Sequence, residues 1–490
     1  MRLPARLLFC AFGIAVANGC GAQAARGLLE QAAEAMGGLE RLRGLDNVVL
    51  TGFGVYLSQQ GGGNLSPDAH APSKWQEGNA ARRVFDLKGK RALYQDRRIS
   101  MFPFAAASGN RWSETLQVQT GVQALDHPLT ALLAALEPGA RLGPVRTEND
   151  LAVVELTVAD GAMLWIALDA RAHLPAWVRW VNGSATLGDV TSTAYFTGYL
   201  PFDGVELPTG FKTMIDWRDT TTSEFQVDSY RLNVRDLEPF PATITNSPPG
   251  ATALAVKPVA KGVWDVRYGG NAGAVVEFAD HLTMFEAYGS ELATFARLDA
   301  ANKLVKGKQV TEVIVSHHHF DHSGGLRAAV SRGLTIISRR ANEGIFREMV
   351  ARPAPNFPDA LARNPQPMKF VPVDEHLVLE DKTMRVDVYH AVGHLHMADA
   401  VFAYVPSVRV LMEGDFTTFD WDYNWWGGAY LDNVARYKLD PAINVPVHGK
   451  VTTFAETTAD IERQVANARK FCTDNAAAAI FTAGCPVPGK

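Results

Sequence analysis

The chain has 490 residues, of which 47% are hydrophobic and 20% are charged, so it holds enough apolar material for two or three conventional cores. Its 42 glycines and 26 prolines are close to average usage, and the absence of a sustained heptad or tandem repeat excludes a coiled coil and a solenoid. Lys and Arg number 47 against 52 Asp and Glu, a net charge of −5 without a basic cluster. We therefore expect a globular protein with no nucleic-acid partner.

The N-terminus has the pattern of an export signal. Arg2 and Arg6 give a positive start, the apolar run Leu7–Ala17 follows, and Ala22-Gln23-Ala24 forms an A-x-A cleavage pattern. The run is too short to span a bilayer. We expect a signal peptide over residues 1–24 and a mature protein that is periplasmic or secreted.

Two other interpretations of this segment stay open. Cys20 follows Ala17-Asn18-Gly19, so it could be the lipidated first residue of a lipoprotein. Without that lipid we expect no membrane attachment. The apolar run could instead be a buried N-terminal helix.

Four cysteines are present, and Cys10 and Cys20 lie in or beside the predicted signal. Cys472 and Cys485 would remain in the mature chain. In an oxidising compartment this pair could close a disulfide, and two free thiols are the alternative.

The first half of the mature chain is rich in predicted strands. Apolar residues from Leu28 to Met36 recur at helical spacing until Gly37-Gly38, which predicts a short helix. Alternating or apolar runs separated by turn residues then predict antiparallel sheet, with one helix near Pro128–Leu136. The predicted strands are Val48–Tyr56, Arg83–Leu87, Leu151–Val158, Met163–Leu168, Trp177–Val181, Val190–Tyr199 and Phe225–Leu232.

The second half alternates strands with helices. Four prolines make Leu237–Pro249 the best candidate linker, so we place a domain boundary near residue 250, between domains 25–249 and 250–490. The alternation predicts sheets covered by helices. The predicted strands are Gly262–Tyr268, Ala274–Phe278, Thr283–Glu286, Val310–Val315, Thr335–Ile337, Arg385–Tyr389, Ala400–Val405 and Arg409–Met412. The predicted helices are Glu291–Lys303, Gly325–Val330, Ala341–Val350 and Ala459–Phe471.

Four histidines and one aspartate fall within six consecutive positions after an apolar strand, although the whole chain has only 13 histidines. In an extended segment His317 and His319 point to one side and His318 to the other. Asp321 and His322 lie in the following turn, so their side chains can reach a second position in space. Imidazole and carboxylate ligands without sulfur suit zinc and also accept iron or manganese.

Three more residues of ligand type follow downstream. Each lies after an apolar strand and beside a glycine, which allows close backbone approach. They are His394, Asp415 and His448.

The order and context of these seven residues resemble the metallo-β-lactamase-fold superfamily over roughly residues 255–470. The resemblance implies an αββα sandwich with two divalent metal ions at its edge, most simply zinc. It implies a first metal held by His317, His319 and His394, a second held by Asp321, His322 and His448, and Asp415 bridging both. His318, His390 and His396 each neighbour a predicted ligand and sit out of phase or out of pattern, so we assign them no role.

The N-terminal half lies outside that family's minimal fold. Gly204-Val205-Glu206-Leu207-Pro208, followed by paired strands, resembles the half-barrel domains of bacterial envelope lipid or lipoprotein carriers. The expected fold class is therefore α+β, an αββα sandwich preceded by a mainly antiparallel β-domain.

The two-metal arrangement that the resemblance implies predicts a hydrolase. Two metals can hold a water and lower its pKa to about 7, and the resulting hydroxide attacks a carbonyl. Asp321 and Asp415 would hold this hydroxide and take up its proton. In this superfamily an Asp at the position of Asp415 is typical of glyoxalase II-type thioesterases, lactonases and phosphodiesterases rather than dedicated β-lactamases. Since the charge balance gives no support for a nucleic-acid phosphodiesterase, a carboxylic ester, lactone or thioester is the expected substrate bond.

Aromatic residues crowd the fifteen positions after Asp415: Phe416, Phe419, Trp421, Tyr423, Trp425, Trp426 and Tyr430. They could wall a pocket for the apolar or acyl part of a small-molecule substrate, or form a core under the metal loop. Tyr423 or Tyr430 is a candidate donor to the developing oxyanion.

Two other functions stay open. A mononuclear iron dioxygenase acting on persulfides uses a similar histidine set and would hold one iron. An envelope lipid carrier would use the N-terminal half to bind lipid, with the metal domain as an accessory.

Overall fold

The computed structural model describes residues 9–58, 66–68, 70, 74–100, 113–241, 253–269, 271, 273–394, 396–417, 422–424 and 426–474. The α-helices in these ranges are α1 Phe9–Ala35, α2 Leu39–Arg43, α3 Pro128–Ala135, α4 Glu291–Ala301, α5 Phe320–Ser323, α6 Leu326–Ser331, α7 Glu343–Ala351, α8 Ala360–Arg363, α9 Gly427–Arg436 and α10 Phe454–Asp474. Two short 3-10 helices cover Gly121–Leu125 and Arg340–Asn342.

One antiparallel sheet forms the first half of the chain. Its strands are β1 Asn47–Ser58, β2 Lys74–Asp86, β3 Arg91–Ser100, β4 Ser113–Thr120, β5 Arg141–Glu148, β6 Leu151–Thr157, β7 Met163–Asp169, β8 Pro175–Ser184, β9 Gly188–Phe202, β10 Val205–Ile215 and β11 Thr220–Leu232. These eleven strands lie in the order β4-β3-β2-β1-β11-β10-β9-β8-β7-β6-β5. The expected antiparallel β-domain is confirmed.

Helices α1 and α3 cover one face of this sheet. Leu29 of α1 and Leu132 of α3 are fully buried in the same hydrophobic cluster as Ile166 of the sheet. Helix α1 ends just before Gly37, whose φ is +123°. A Cβ at Gly37 would lie 2.4 Å from the backbone oxygen of Gly204, so only glycine fits this close approach.

Helix α1 includes part of the segment predicted as a signal peptide. Residues 1–8 and the side chains of residues 9–20 lie outside the described part of the chain. Ala25, the residue after the predicted cleavage site, is buried against the sheet domain. The signal peptide, its cleavage and export remain predictions. None of the helices among the described residues combines the length and apolar character that a membrane span requires.

Two facing sheets form the second half of the chain. The strands of the first are β12 Leu254–Ala260, β13 Val263–Tyr268, β14 Ala274–Glu277, β15 Leu282–Phe285, β16 Val310–Ile314, β17 Thr335–Arg339 and β18 Lys369–Val373, in that order. The strands of the second are β19 His376–Glu380, β20 Arg385–His390, β21 Val401–Val405, β22 Val410–Glu413, β23 Ile443–Pro446 and β24 Thr452–Thr453, also in order. Strands β15 to β18 are parallel, as are β22 and β23.

Three hydrophobic clusters join the layers of this half. Ile314 and Val388 belong to the cluster between the two sheets. Helices α4, α6 and α7 pack on the outer face of the first sheet, and α9 and α10 pack on the outer face of the second. The expected αββα sandwich is confirmed.

Part of the predicted linker packs on the first domain. Leu237 and Phe240 contact the cluster formed by Val49, Val84 and Leu93 on the sheet face opposite the helices. Residues 242–252 lie outside the described part, and the domain boundary near 250 remains a prediction. Helix α10 contains Cys472, which is disulfide-bonded. The other member of the predicted pair, Cys485, lies outside the described residues.

Two turns of the first sheet dock on the second half of the chain. The ring of Trp217, in the turn between β10 and β11, lies 5.1 Å from the ring of Phe320. At the turn between β8 and β9, Arg352 donates to the backbone oxygens of Leu187 and Asp189 at 2.9 and 2.7 Å. These contacts bring the first domain to the segment that holds the histidine run.

A buried ion pair supports this docking region. The Arg327 side chain is 2% exposed and donates to both carboxylate oxygens of Asp359 and to the backbone oxygen of Arg352. Burial alone would raise the pKa of Asp359, but the hydrogen bonds from Arg327 hold it below its usual value. The carboxylate therefore stabilises the fold above the pKa of an unfolded Asp, and this contribution is lost as the pH falls through the depressed folded pKa.

We expect Asp359→Asn to lower the free energy of unfolding at pH 7 by about 3 kcal/mol, because Arg327 would stay buried without its counter-charge. In this variant the free energy of unfolding should also decrease less steeply as the pH falls below about 4. Urea unfolding across this pH range measures both effects. Asp374→Asn is the matched control, since Asp374 pairs with Arg340 at the surface. An unchanged pH dependence in Asp359→Asn would contradict the assignment.

Candidate metal centre

The predicted ligands follow the ends of strands that meet at one edge of the sandwich. His317 follows β16 of the first sheet, and Asp415 and His448 follow the parallel strands β22 and β23 of the second. Strand β20 is antiparallel to β21, which is antiparallel to β22, so its carboxyl end reaches the same edge. Residues far apart in the sequence are thereby brought together.

The first group of donor atoms comes from His317, His319, His396 and Asp415, all buried, with one donor atom from each within 4.8 Å of the others. His317 Nε2 lies 3.0 Å from His319 Nδ1. Asp415 Oδ2 lies 2.8 Å from His396 Nε2 and 3.6 Å from His317 Nε2. Three imidazoles and one carboxylate oxygen therefore converge.

The second group comes from Asp321, His322, Asp415 and His448, again with donor atoms within 4.8 Å of one another. Asp415 Oδ1 lies 3.0 Å from His322 Nε2 and 3.2 Å from His448 Nε2. The two Nε2 atoms are 3.2 Å apart, and Asp321 Oδ2 lies 3.4 Å from His448 Nε2. Asp415 belongs to both groups, one oxygen to each.

These donors fit divalent metal ions. Oδ1 of Asp321 and Oδ1 of Asp415 are buried, and neither makes a hydrogen bond of good geometry among the described residues. Buried polar atoms rarely stay unsatisfied unless an ion or water is to be bound. Nitrogen and oxygen donors without sulfur suit zinc and accept iron or manganese.

The structure places His396, and not His394, in the first group. The ring of His394 packs 4.5 Å from that of Phe416, and its Nδ1 accepts a hydrogen bond from the backbone N–H of His396. His394 Nε2 is buried without a hydrogen-bond partner among the described residues. The two histidines are two positions apart, and His396 was assigned no role from the sequence. The neighbouring Gly393 drew the sequence prediction to His394, and His396 was missed.

Hydrogen bonds behind the site orient three of the imidazoles. Glu286 is fully buried, and its carboxylate lies 3.1 Å from His322 Nδ1 and 3.2 Å from the backbone nitrogen of Ser316. Ser316 Oγ lies 2.9 Å from His317 Nδ1, and Asn271 Oδ1 lies 2.9 Å from His448 Nδ1. With Nδ1 engaged in this way, Nε2 of each ring faces the donor groups. The sequence prediction did not identify Glu286 or Asn271.

The protonation equilibria show that the second donor group favours positive charge, whereas burial and the neighbouring imidazoles lower the pKa of His317 in the first. Burial opposes ionisation of all these groups, yet Asp415 and Asp321 raise the pKa of His448 to about 9. The pKa of His322 is raised for the same reason, against the effect of its burial. The pKa of Asp415 is held well below its usual value, because His322 and His448 outweigh the desolvation of its carboxylate. A cation placed among these groups would be stabilised by the same carboxylates.

The turn that carries Asp415 is built by its neighbours. A Cβ on Gly414 would lie 2.6 Å from Ser316 Oγ, so a glycine lets this turn approach the end of β16. Glu413 is fully buried and accepts hydrogen bonds from the backbone N–H of Phe416 and the hydroxyl of Thr417. Burial raises the pKa of Glu413 to about 8.

Three of the four aromatic candidates after Asp415 that the structure describes belong to the core. Phe416 and Tyr430 are buried in the cluster under α9 and α10, and the Tyr430 hydroxyl donates to Asn444 Oδ1 at 3.0 Å. The predicted oxyanion role of Tyr430 therefore has no support in the structure. Trp426 stacks on His396 at 4.8 Å and donates to the backbone oxygen of Asp415.

The fourth described candidate, Tyr423, contacts helix α10. The ring of Tyr423 lies 5.7 Å from that of Phe471. Phe419, Trp421 and Trp425 lie outside the described residues.

Two histidines that were assigned no role lie outside both donor groups. His318 is buried beside the ring of His319, at 4.6 Å. His390 Nδ1 lies 3.2 Å from a carboxylate oxygen of Glu375.

A comparison with protein families identifies a known domain in this chain. Residues 270–431 match the family model of the Metallo-beta-lactamase superfamily, which places a domain of that superfamily in the second half of the chain. A comparison with curated proteins gives no match.

Several solved structures are similar to the chain. TMB-1 shares 19% identity over 44% of this chain and 98% of its own, with a TM-score of 0.34. A metallo-beta-lactamase from Pontibacter korlensis shares 18% over 44% and 99%, with a TM-score of 0.35. One from Hirschia baltica shares 16% over 43% and 97%, with a TM-score of 0.33.

We expect His396→Ala to weaken metal binding more than His394→Ala does, because only the imidazole of His396 lies in a donor group. The decrease in metal affinity in His396→Ala should exceed the roughly 10–100-fold decrease that follows removal of an outer hydrogen-bond partner. Metal titration of each purified variant, with metal content read by plasma mass spectrometry, measures the difference. Equal losses, or a larger loss in His394→Ala, would show that His394 is the ligand.

We expect Glu286→Gln to weaken metal binding by about 10–100-fold, because the carboxylate that orients His322 is replaced by a neutral amide. The same titration measures the effect. Glu343→Gln is the matched control, since Glu343 pairs with Arg347 on the surface of α7. Unchanged metal affinity in Glu286→Gln would mean that His322 is oriented by packing alone.

Proposed function

We propose that this protein is a metal-dependent hydrolase that cleaves a carboxylic ester, lactone or thioester bond. One observation carries the proposal: two groups of nitrogen and oxygen donors lie side by side and share the carboxylate of Asp415. The match of residues 270–431 to the Metallo-beta-lactamase superfamily supports it.

The residues fit two divalent metal ions, for which zinc is the simplest choice and iron or manganese are alternatives. His317, His319, His396 and one oxygen of Asp415 would hold the first. Asp321, His322, His448 and the other oxygen of Asp415 would hold the second. Such ions, when bound, supply an acidified water as nucleophile and polarise the substrate carbonyl.

The protein's own groups handle the proton and the orientation of the reactants. Asp321 Oδ1 has no hydrogen-bond partner among the described residues, so it can accept a hydrogen bond from a water at the site. We assign Asp321 and Asp415 the role of holding that water and taking up its proton. Glu286 and Asn271 keep the imidazoles of His322 and His448 in place during this step.

The proposed substrate is a small molecule with an apolar or acyl part. The Asp at position 415, which is untypical of dedicated β-lactamases, supports an ester, lactone or thioester over a β-lactam. We further propose that the protein works in the periplasm or outside the cell, on the basis of the N-terminal signal pattern. Antibodies against the mature chain in fractionated cells would test this location.

The first experiment measures the metal content per chain in protein purified without chelator or added metal. About two zinc ions per chain would support the hydrolase and the sharing of Asp415. A single iron with oxygen consumption would instead indicate a persulfide dioxygenase. Protein that neither holds nor takes up metal would favour the carrier function.

We expect Asp415→Asn to reduce the hydrolysis of a responsive ester, lactone or thioester by at least about 100-fold, because the shared carboxylate and its charge are lost. Asp440→Asn is the matched control, since Asp440 pairs with Arg409 at the surface. Steady-state kinetics on both variants, with circular dichroism to verify the fold, measure the effect. Near-normal turnover in Asp415→Asn would overturn the two-metal proposal.

A further inference from the structure

A cavity of about 180 Å³ lies in the first domain, away from the donor groups. It opens on the face of the eleven-stranded sheet that α1 and α3 cover, since Leu50, Phe85 and Phe211 line it and belong to the same hydrophobic cluster as these helices. The proposed hydrolysis assigns no role to this space.

Aromatic rings form much of the cavity wall. Phe85 lies 4.7 Å from the ring of His127, which lies 5.6 Å from Phe211. Phe211 lies 6.4 Å from Phe225, and Tyr94 lies 6.3 Å from Phe85. Such ring faces and edges favour another aromatic ring, which can add edge-to-face or offset contacts.

One polar side chain in this wall has a hydrogen-bond acceptor without a partner. Asn79 is 1% exposed, and its Nδ2 donates to Asp96 Oδ1 at 3.2 Å and to the Tyr56 hydroxyl at 3.4 Å. These bonds fix the amide, yet Asn79 Oδ1 is buried without a partner. Among the described residues that line the cavity, it is the buried side-chain atom left unsatisfied. A buried acceptor of this kind calls for a donor from a bound molecule.

The other polar groups beside the cavity are already paired. Arg83 and Arg98 both bind Asp96, and Arg83 also lies 4.3 Å above the ring of Tyr94. Tyr94 donates to Asp126. Glu224, which also lines the cavity, lies 3.5 Å from Lys212. Three basic groups thus face three carboxyl groups, and this balance leaves no net charge to attract an ion.

We propose that this cavity is a second binding site, which takes a neutral aromatic compound of about one ring whose hydroxyl donates a hydrogen bond to Asn79. The volume agrees with a ligand of this size, because an apolar cavity of about 150 Å³ can hold benzene. The site is distinct from the metal centre, and the binding does not depend on the proposed hydrolysis.

The test uses the full chain with two probes of nearly equal size, p-cresol and toluene, of which only p-cresol can donate a hydrogen bond. Saturation-transfer NMR with titration gives both affinities. We expect p-cresol to bind wild-type protein about fivefold more tightly than toluene, the effect of one net hydrogen bond. Asn79→Leu should remove this preference while toluene still binds.

A second variant tests the location. Ala194 lines the cavity and is 2% exposed, so Ala194→Phe should fill the space and abolish the binding of both probes. Ala80→Phe is the control, because Ala80 neighbours Asn79 but is exposed at the opposite face of the sheet, so binding should persist.

Three results would overturn the proposal: no saturable binding of p-cresol to wild-type protein, equal affinity for the two probes, or undiminished binding to folded Ala194→Phe. Repeating the titration after chelation separates this site from the metal centre. Probe binding that persists after chelation supports a separate site, and binding lost on chelation contradicts it.

Discussion

The geometry of the candidate centre depends on a single carboxylate. Asp415 presents Oδ2 to the nitrogens of His396 and His317, and Oδ1 to those of His322 and His448. These four imidazoles come from three separate segments of the chain. The fold must therefore hold the rings close together despite the electrostatic and steric repulsion between them. A buried anion among imidazoles satisfies this requirement, because its negative charge favours either protonated rings or bound cations at the same positions. The strands, turns and outer hydrogen bonds of the sandwich serve to place that carboxylate.

The support for Asp415 comes from both sheets. Gly414 permits the end of β22 to approach Ser316 at the end of β16, and Glu413 holds the following turn through Phe416 and Thr417. Burying a second acid beside Asp415 is costly unless it is hydrogen-bonded or protonated, and the raised pKa of Glu413 shows that burial favours its neutral form. The two carboxyl groups therefore differ in charge because their surroundings differ: burial outweighs the hydrogen-bond donors around Glu413, whereas the charges of His322 and His448 outweigh burial at Asp415.

The sequence predicted the sandwich well, because periodicity and apolar strands report directly on burial. It also indicated the strand ends where the ligands lie, since His317, Asp415 and His448 each follow a buried strand. It selected His394 instead of His396, because that choice depends on how one turn folds back on Phe416 and Trp426. The role of Glu286 could not be predicted, because a lone acid at the end of a strand is usually exposed. Its role arises from a contact with His322, which lies 36 residues further along the chain. Most strands at the edges of the first sheet, such as β3, β4 and β5, were missed for a related reason: their half-exposed residues blur the alternation that marks a strand.

The contact between Trp217 and Phe320 couples the two halves of the chain mechanically. Phe320 stands between His319 and Asp321, which belong to different donor groups, so its ring is attached to the backbone that sets their spacing. The turn that carries Trp217 joins β10 and β11, which pair antiparallel from Gly210 with Gln226 to Ile215 with Thr220. An insertion or deletion in that turn would move the indole relative to Phe320 and disturb the metal loop without altering any ligand. The first domain is therefore expected to tolerate changes of length at its far edge more readily than at this turn, and the two domains are expected to be inherited as a unit.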